Sequence, residues 1–148
     1  MIELRRLTDI EQLMEWRREV LGCVFRHEPD EALLASNRDF FIRHISDGSH
    51  IAIIACRDGI EAGCGAVCFY EEMPSPDNPS GRCAYIMNMY VRPAFRHEGI
   101  ATAILEHLVG ESRDRNCNKI YLETTDMGRS VYASIGFRDM NDLMKYEG

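Results

Sequence analysis

Arg96, His97, Glu98, Gly99, Ile100, Ala101 and Thr102 form the stretch of this sequence best suited to chemistry. They follow Asn88-Met89-Tyr90-Val91-Arg92-Pro93, a strand-like run closed by proline. A strand therefore feeds a tight turn, and the turn feeds a helix. Gly99 removes a side chain where the backbone must approach something closely, and Ala101 is small for the same reason. The first N–H groups of a helix lack internal partners and carry the positive end of its dipole. Such a start accepts phosphate oxygens, and Arg96 and His97 add side-chain donors of favourable sign. Other phosphate motifs are absent. There is no Gly-x-x-x-x-Gly-Lys-Ser/Thr run, and Gly63-Cys64-Gly65 lacks the third glycine of a dinucleotide fingerprint.

The elements around this turn follow from periodicity and punctuation. Ile2 to Leu7 alternates and predicts a first strand. Thr8 and Glu11 match a capping box before a helix carrying Ile10, Leu13, Met14, Trp16, Val20 and Leu21. A second helix is expected from about Pro29, with a stripe of Leu33, Leu34, Phe40, Phe41 and Ile45, ended by Asp47-Gly48. His50 to Cys56 is the second strand, Asp58-Gly59 a hairpin turn, and Glu61 to Tyr70 the third strand. Three prolines mark Glu72 to Gly81 as a loop, and Arg82 to Val91 is the fourth strand. A helix from Gly99 to about Arg113 precedes a fifth strand, Lys119 to Thr124. A short helix, Asp126 to Ile135, stops at Gly136, with Asp126 as its cap. Phe137 to Glu147 is expected to add one or two edge strands. This order predicts an α/β fold, a mixed central sheet with helices on both faces, in one domain over residues 1–148. The segment from Cys83 to Thr124 should form a right-handed parallel crossover.

Composition narrows the function. The 148 residues carry a net charge of -7, which disfavours nucleic acid as the main partner. No apolar run reaches membrane-span length, and Met1 to Arg6 does not resemble a signal peptide, so a cytoplasmic protein is expected. The six cysteines include no Cys-x-x-Cys pair and no histidine at ligand spacing. They read as small apolar core residues in a reducing compartment, and no metal is expected.

Arg96-x-x-Gly99-x-Ala101 resembles the acetyl-coenzyme A motif of the GNAT acetyltransferases. The preceding Tyr90-Val91-Arg92-Pro93 and the later Tyr132-Ala-Ser-Ile-Gly136-Phe137 resemble that family too, and the order of elements fits along nearly the whole chain. The resemblance implies a GNAT fold whose fourth and fifth strands splay apart. It implies acetyl-coenzyme A as co-substrate, with the pantetheine arm on the backbone of Met89, Tyr90 and Val91. The pyrophosphate would sit on the N–H groups from Arg96 to Thr102. It implies transfer of the acetyl group to a primary amine by direct attack in a ternary complex, with Tyr132 as general acid. A tyrosine near its ordinary pKa is protonated at neutral pH, as an acid must be.

The acceptor and the general base stay open at this stage. Glu71 and Glu72 end the third strand, Glu123 lies on the fifth, and Asp126 follows it. Asn88 stands where some family members carry a carboxylate and cannot act as a base. A water relay, or an amine deprotonated before binding, needs none of them. Family members often place an asparagine after the fifth strand, where this chain has Thr124-Thr125-Asp126. His97 is expected at phosphate or solvent, His107 at the surface and Met87 in packing. The acceptor is a small-molecule amine or a peptide or protein amine, and a second subunit completing the C-terminus would give a homodimer. Two alternatives are a non-catalytic sensor of acetyl-coenzyme A and a domain for another nucleotide cofactor.

Overall fold

The structure, a computed structural model, describes residues 1–140 and 142–148. Five strands form one sheet in the order β1-β2-β3-β4-β5: Ile2–Leu7, His50–Arg57, Ile60–Glu71, Arg82–Val91 and Lys119–Leu122. The first four pair antiparallel and β4 pairs with β5 in parallel, so the sheet is mixed. The helices are α1 (Ile10–Phe25), α2 (Glu31–Ser46), α3 (Ile100–Asp114) and α4 (Asp126–Ile135). A single 3-10 turn, Pro93–Phe95, follows β4.

Alternation along β2 explains the layers. Ile51, Ile53 and Ala55 pack with Ile100, Ile104, Leu105 and Leu108 of α3 on one face. Ala52, Ile54 and Cys56 pack with Leu13, Met14, Trp16, Val20, Leu34 and Phe41 of α1 and α2 on the other. A strand covered on both faces reads as a continuous apolar run, which is what HIAIIAC is. Asp58 and Gly59 both take positive φ, the conformation of a tight hairpin.

Several local expectations need correction. The cap of α1 is Asp9 rather than Thr8: its carboxylate accepts the Gln12 N–H at 3.0 Å, and the helix begins one residue later than the capping box placed it. Both residue types cap well, and the carboxylate adds a favourable interaction with the helix dipole. Asp30 caps α2 through the Leu33 N–H at 2.8 Å, leaving Pro29 just before the cap. Leu33 lies outside the buried stripe, 44% exposed. The cap position of α4 is Thr125, with no side-chain bond, and Asp126 is the first helical residue. Strand β5 ends at Leu122, short of Thr124. Cys23 is exposed, whereas Cys56, Cys64, Cys83 and Cys117 are buried and Cys68 is half-buried. The described part of Phe137 to Glu147 holds no strand: Phe137 packs on the core, and the described residues after it are exposed, Met140, Leu143, Met144 and Tyr146 included.

Candidate active site

The site is built on an irregularity in β4. Cys64 pairs with Tyr90 and Ala66 with Met87, so Asn88 and Met89 together stand opposite Gly65. This is a β-bulge, and Asn88 takes φ +56°, a left-handed value that asparagine tolerates. Gly65 is required there, because a Cβ would meet the Met89 Sδ at 2.5 Å and the Ile104 Cγ2 at 2.6 Å. The β4–β5 ladder stops at Ile86 opposite Leu122, just before the bulge. Beyond it the strands part, and among the described residues the backbone of Met87 to Val91 runs on with no strand opposite on that side. These residues offer about 16 Å of open strand edge.

The open edge leads into the turn. Arg92 anchors it, with Nε and Nη2 each donating to the Glu19 carboxylate at 2.9 Å and its guanidinium lying 4.3 Å over the Trp16 ring. His97 and Gly99 take φ +65° and +84°. Left-handed residues alternating with ordinary ones turn successive N–H groups towards one side, a concavity that accepts anions. The first bond inside α3 runs from the Ala103 N–H to Gly99 at 3.0 Å, so the N–H groups of Ile100, Ala101 and Thr102 precede the helix ladder. Ile100 is buried against the sheet, and Ala101 and Thr102 are half-buried. Glu98 pairs with Arg57, which holds its negative charge towards the β2–β3 hairpin. Arg96 is not wholly free for a ligand: its Nε donates to the Val91 carbonyl at 2.9 Å and its guanidinium lies 5.9 Å from the Tyr90 ring centre. His97 is exposed.

The remaining candidates divide by environment. Tyr132 packs against the α3-side core and edge-on to Phe137, with ring centres 6.3 Å apart. Burial raises its pKa above the ordinary 10.0, and its hydroxyl bonds no described residue. Tyr90 faces α1, where its hydroxyl lies 3.3 Å from the Cys23 Sγ. Glu72 holds the loop together, accepting from Asn78 at 3.1 Å and pairing with Lys119 at 3.2 Å, and these partners keep its pKa low. Glu123 accepts the Tyr85 hydroxyl at 2.9 Å, and Tyr85 stacks on Tyr121 with ring centres 5.0 Å apart. Glu71 is exposed. Met87 packs with the α1–α2 layer. His107 is exposed and lies 3.6 Å from Glu111. The Thr124 hydroxyl donates to the Thr125 carbonyl at 2.8 Å. Among the described residues no group of three histidines, cysteines or carboxylates is arranged to hold a metal, and no helix is long and apolar enough to cross a membrane.

One residue at the site escaped the sequence reading. Arg17 donates through Nη1 to the Asn88 Oδ1 at 2.7 Å and through Nε to the Asn37 Oδ1 at 2.8 Å, tying α1 and α2 to the bulge. Within Glu15-Trp16-Arg17-Arg18-Glu19 it looks like part of a solvated face. Its spacing tells otherwise, because it lies four residues from both Leu13 and Leu21, which are buried.

The Acetyltransferase (GNAT) family model matches residues 10–137, and the chain belongs to that family. A predicted acetyltransferase from Clostridium acetobutylicum, solved with acetyl-CoA, is 30% identical, with a TM-score of 0.88 over 99% of this chain and 96% of that one. A GCN5-related N-acetyltransferase from Ralstonia eutropha is 25% identical, with a TM-score of 0.80 over 99% and 98%. Among curated proteins, the thialysine N-epsilon-acetyltransferase of Sus scrofa is 24% identical over 93 residues, 49% of this chain and 55% of that protein. The chain spans about half the length, or less, of the curated relatives it matches.

Proposed function

We propose that this chain, as one domain over residues 1–148, is an acetyl-coenzyme A-dependent N-acetyltransferase that moves the acetyl group to a primary amine by direct attack. The observation that carries this reading is the open β4 edge, Met87 to Val91, running without interruption into the anion-accepting turn and α3. An extended pantetheine arm would pair with the backbone of Met89, Tyr90 and Val91 as a missing strand would. The pyrophosphate would take the N–H groups from Arg96 to Thr102, at the positive end of α3.

The chemistry then follows from the groups at hand. A backbone N–H near Tyr90 would polarise the thioester carbonyl, as an oxyanion-hole donor does. The amine nitrogen forms a bond to the carbonyl carbon, and the C–S bond breaks as the tetrahedral intermediate collapses. Tyr132 gives its proton to the departing sulfur. Burial supports this role, since it keeps the phenol protonated. The amine proton leaves through water, because Glu72 is paired with Lys119 and Asn88 carries an amide. Glu71 and Glu123 would line the acceptor side. The relatives' name puts the ε-amines of lysine-like amino acids first among acceptors to test.

Calorimetric titration with acetyl-coenzyme A, then free-thiol release across an amine panel, tests this reading. Tight binding with thiol release supports it. Tight binding with no release on any amine favours a sensor. No binding overturns it.

A further inference from the structure

Several arginines of this acidic chain meet carboxylates: Arg5 meets Glu61, Arg6 Glu111, Arg18 Glu28, Arg38 Glu11 and Arg92 Glu19. Among the described residues Arg17 meets none. It lies on the apolar face of α1, between Leu13 and Leu21, and its two bonds go to the neutral amide oxygens of Asn37 and Asn88. The first of those amides is itself held, since the Asn37 Nδ2 donates to the Leu33 carbonyl at 2.9 Å. Burial lowers the pKa of Arg17, the mark of a desolvated charge with too little compensation. A guanidinium has five N–H donors. Nε and one Nη are engaged, while Nη2 bonds no described residue and is not among the atoms sealed from solvent. A purely structural bridge between two amides needs no charge, and holding an unpaired cation in a desolvated place is unfavourable. An anion at Nη2 would remove that cost. The other Nη bonds the side chain of Asn88, the bulge residue next to Met89, along whose backbone the pantetheine arm is proposed to lie.

We propose that Arg17 binds the carboxylate of the acceptor, so that the acceptor is an amino acid carrying a side-chain amine. The proposal rests on the acetyltransferase reading and names the substrate class of that same site. A carboxylate accepts charge-assisted hydrogen bonds from the free Nη2 N–H groups. A phosphate ester offers more oxygens than this one side chain can satisfy. The amine at the far end of the amino acid then reaches the thioester carbonyl while Arg17 holds the other end.

The test is steady-state thiol release by the full chain. The acceptors are lysine, ornithine and 2,3-diaminopropionate, each beside its decarboxylated diamine, with glucosamine 6-phosphate as the phosphorylated amine. At least one amino acid should exceed its diamine in kcat/KM by about tenfold or more, the scale on which losing a buried charged contact is felt. Arg17→Gln should collapse that ratio towards one, mainly through the KM of the amino acid, and Arg17→Lys should restore part of it. The Kd for acetyl-coenzyme A, titrated separately, should stay within about twofold. Equal or better use of the diamines, preference for glucosamine 6-phosphate, or equal losses on both acceptors in Arg17→Gln would overturn the proposal. So would acetyl-coenzyme A binding with no amino acid turned over. The wild-type ratio decides even where a variant fails to fold. Failure to bind acetyl-coenzyme A at all would instead remove the reading beneath it.

Discussion

Gly99 offers a perturbation whose two effects can be separated. It has φ +84°, and a Cβ placed there meets no protein atom within 4 Å. An L side chain at such a φ costs about 1–2 kcal/mol in backbone strain. Gly48, at the turn between α2 and β2, provides the matched control: φ is +77° and its nearest atom, Arg115 Nη2, is 4.0 Å away. Gly99→Ala and Gly48→Ala should therefore lose similar stability, a fall in Tm of about 2–8 °C for a chain of this size. Coenzyme A binding should distinguish them. The open side of Gly99 is where the pyrophosphate is proposed to approach the backbone, so Gly99→Ala should weaken binding by about tenfold or more, equivalent to about 1.4 kcal/mol. Gly99→Glu, which adds bulk and negative charge, should abolish it, while Gly48→Ala should bind within about twofold of wild type. Calorimetric titration with coenzyme A beside thermal unfolding measures both quantities. A folded Gly99→Glu that binds as tightly as Gly48→Ala would refute the assignment of the turn.

Three further outcomes are expected. Tyr132→Phe should lower kcat by about a hundredfold or more while acetyl-coenzyme A affinity changes little. Because burial raises the Tyr132 pKa, wild-type kcat should not fall between pH 7 and 9, and full activity in Tyr132→Phe would exclude the acid role. His50 is buried between Phe40, Phe41 and Cys68, and burial pushes its pKa down to about 4. The unfolded chain therefore takes up a proton near pH 6.5 that the folded chain refuses, so this stability is complete above pH 6.5 and is lost as pH falls towards 4. Between pH 7 and 5 the loss is about 2 kcal/mol, and chemical denaturation of wild type against His50→Gln at both pH values should show the smaller pH effect in the variant. Gly65→Ala drives a methyl group against Met89 and Ile104 and should cost about 1–3 kcal/mol; no change in the denaturation midpoint would mean that the bulge has slack.

The bounds of β4, of α4 and of the Asp58-Gly59 hairpin were legible because proline, glycine and alternation act locally. The strand-turn-helix from β4 to α3 was legible for the same reason: proline closes the strand, and Gly99, at φ +84°, opens the helix. The bulge at Asn88 was not, because it exists only in the register between β3 and β4, and that register depends on Gly65 some twenty residues away. Arg17 was hidden by its charged neighbours, of which Glu15 and Arg18 are exposed while Glu19 is held by Arg92, although its four-residue spacing from Leu13 and Leu21 carried the signal. The tail after Phe137 looked like edge strand from its position in the order of elements. Its apolar residues Met140, Leu143, Met144 and Tyr146 do not alternate as a half-buried strand requires, and they are exposed.

The proposed activity is transfer of an acetyl group from acetyl-coenzyme A to an amine. Its most direct test is to incubate the full chain with acetyl-coenzyme A and the diamino-acid panel, follow free thiol, and identify the product by mass spectrometry. The expected result is one acetylated amine formed per thiol released, at a rate that falls with Tyr132→Phe. Thiol release without any acetylated acceptor, or neither product despite bound acetyl-coenzyme A, would contradict it.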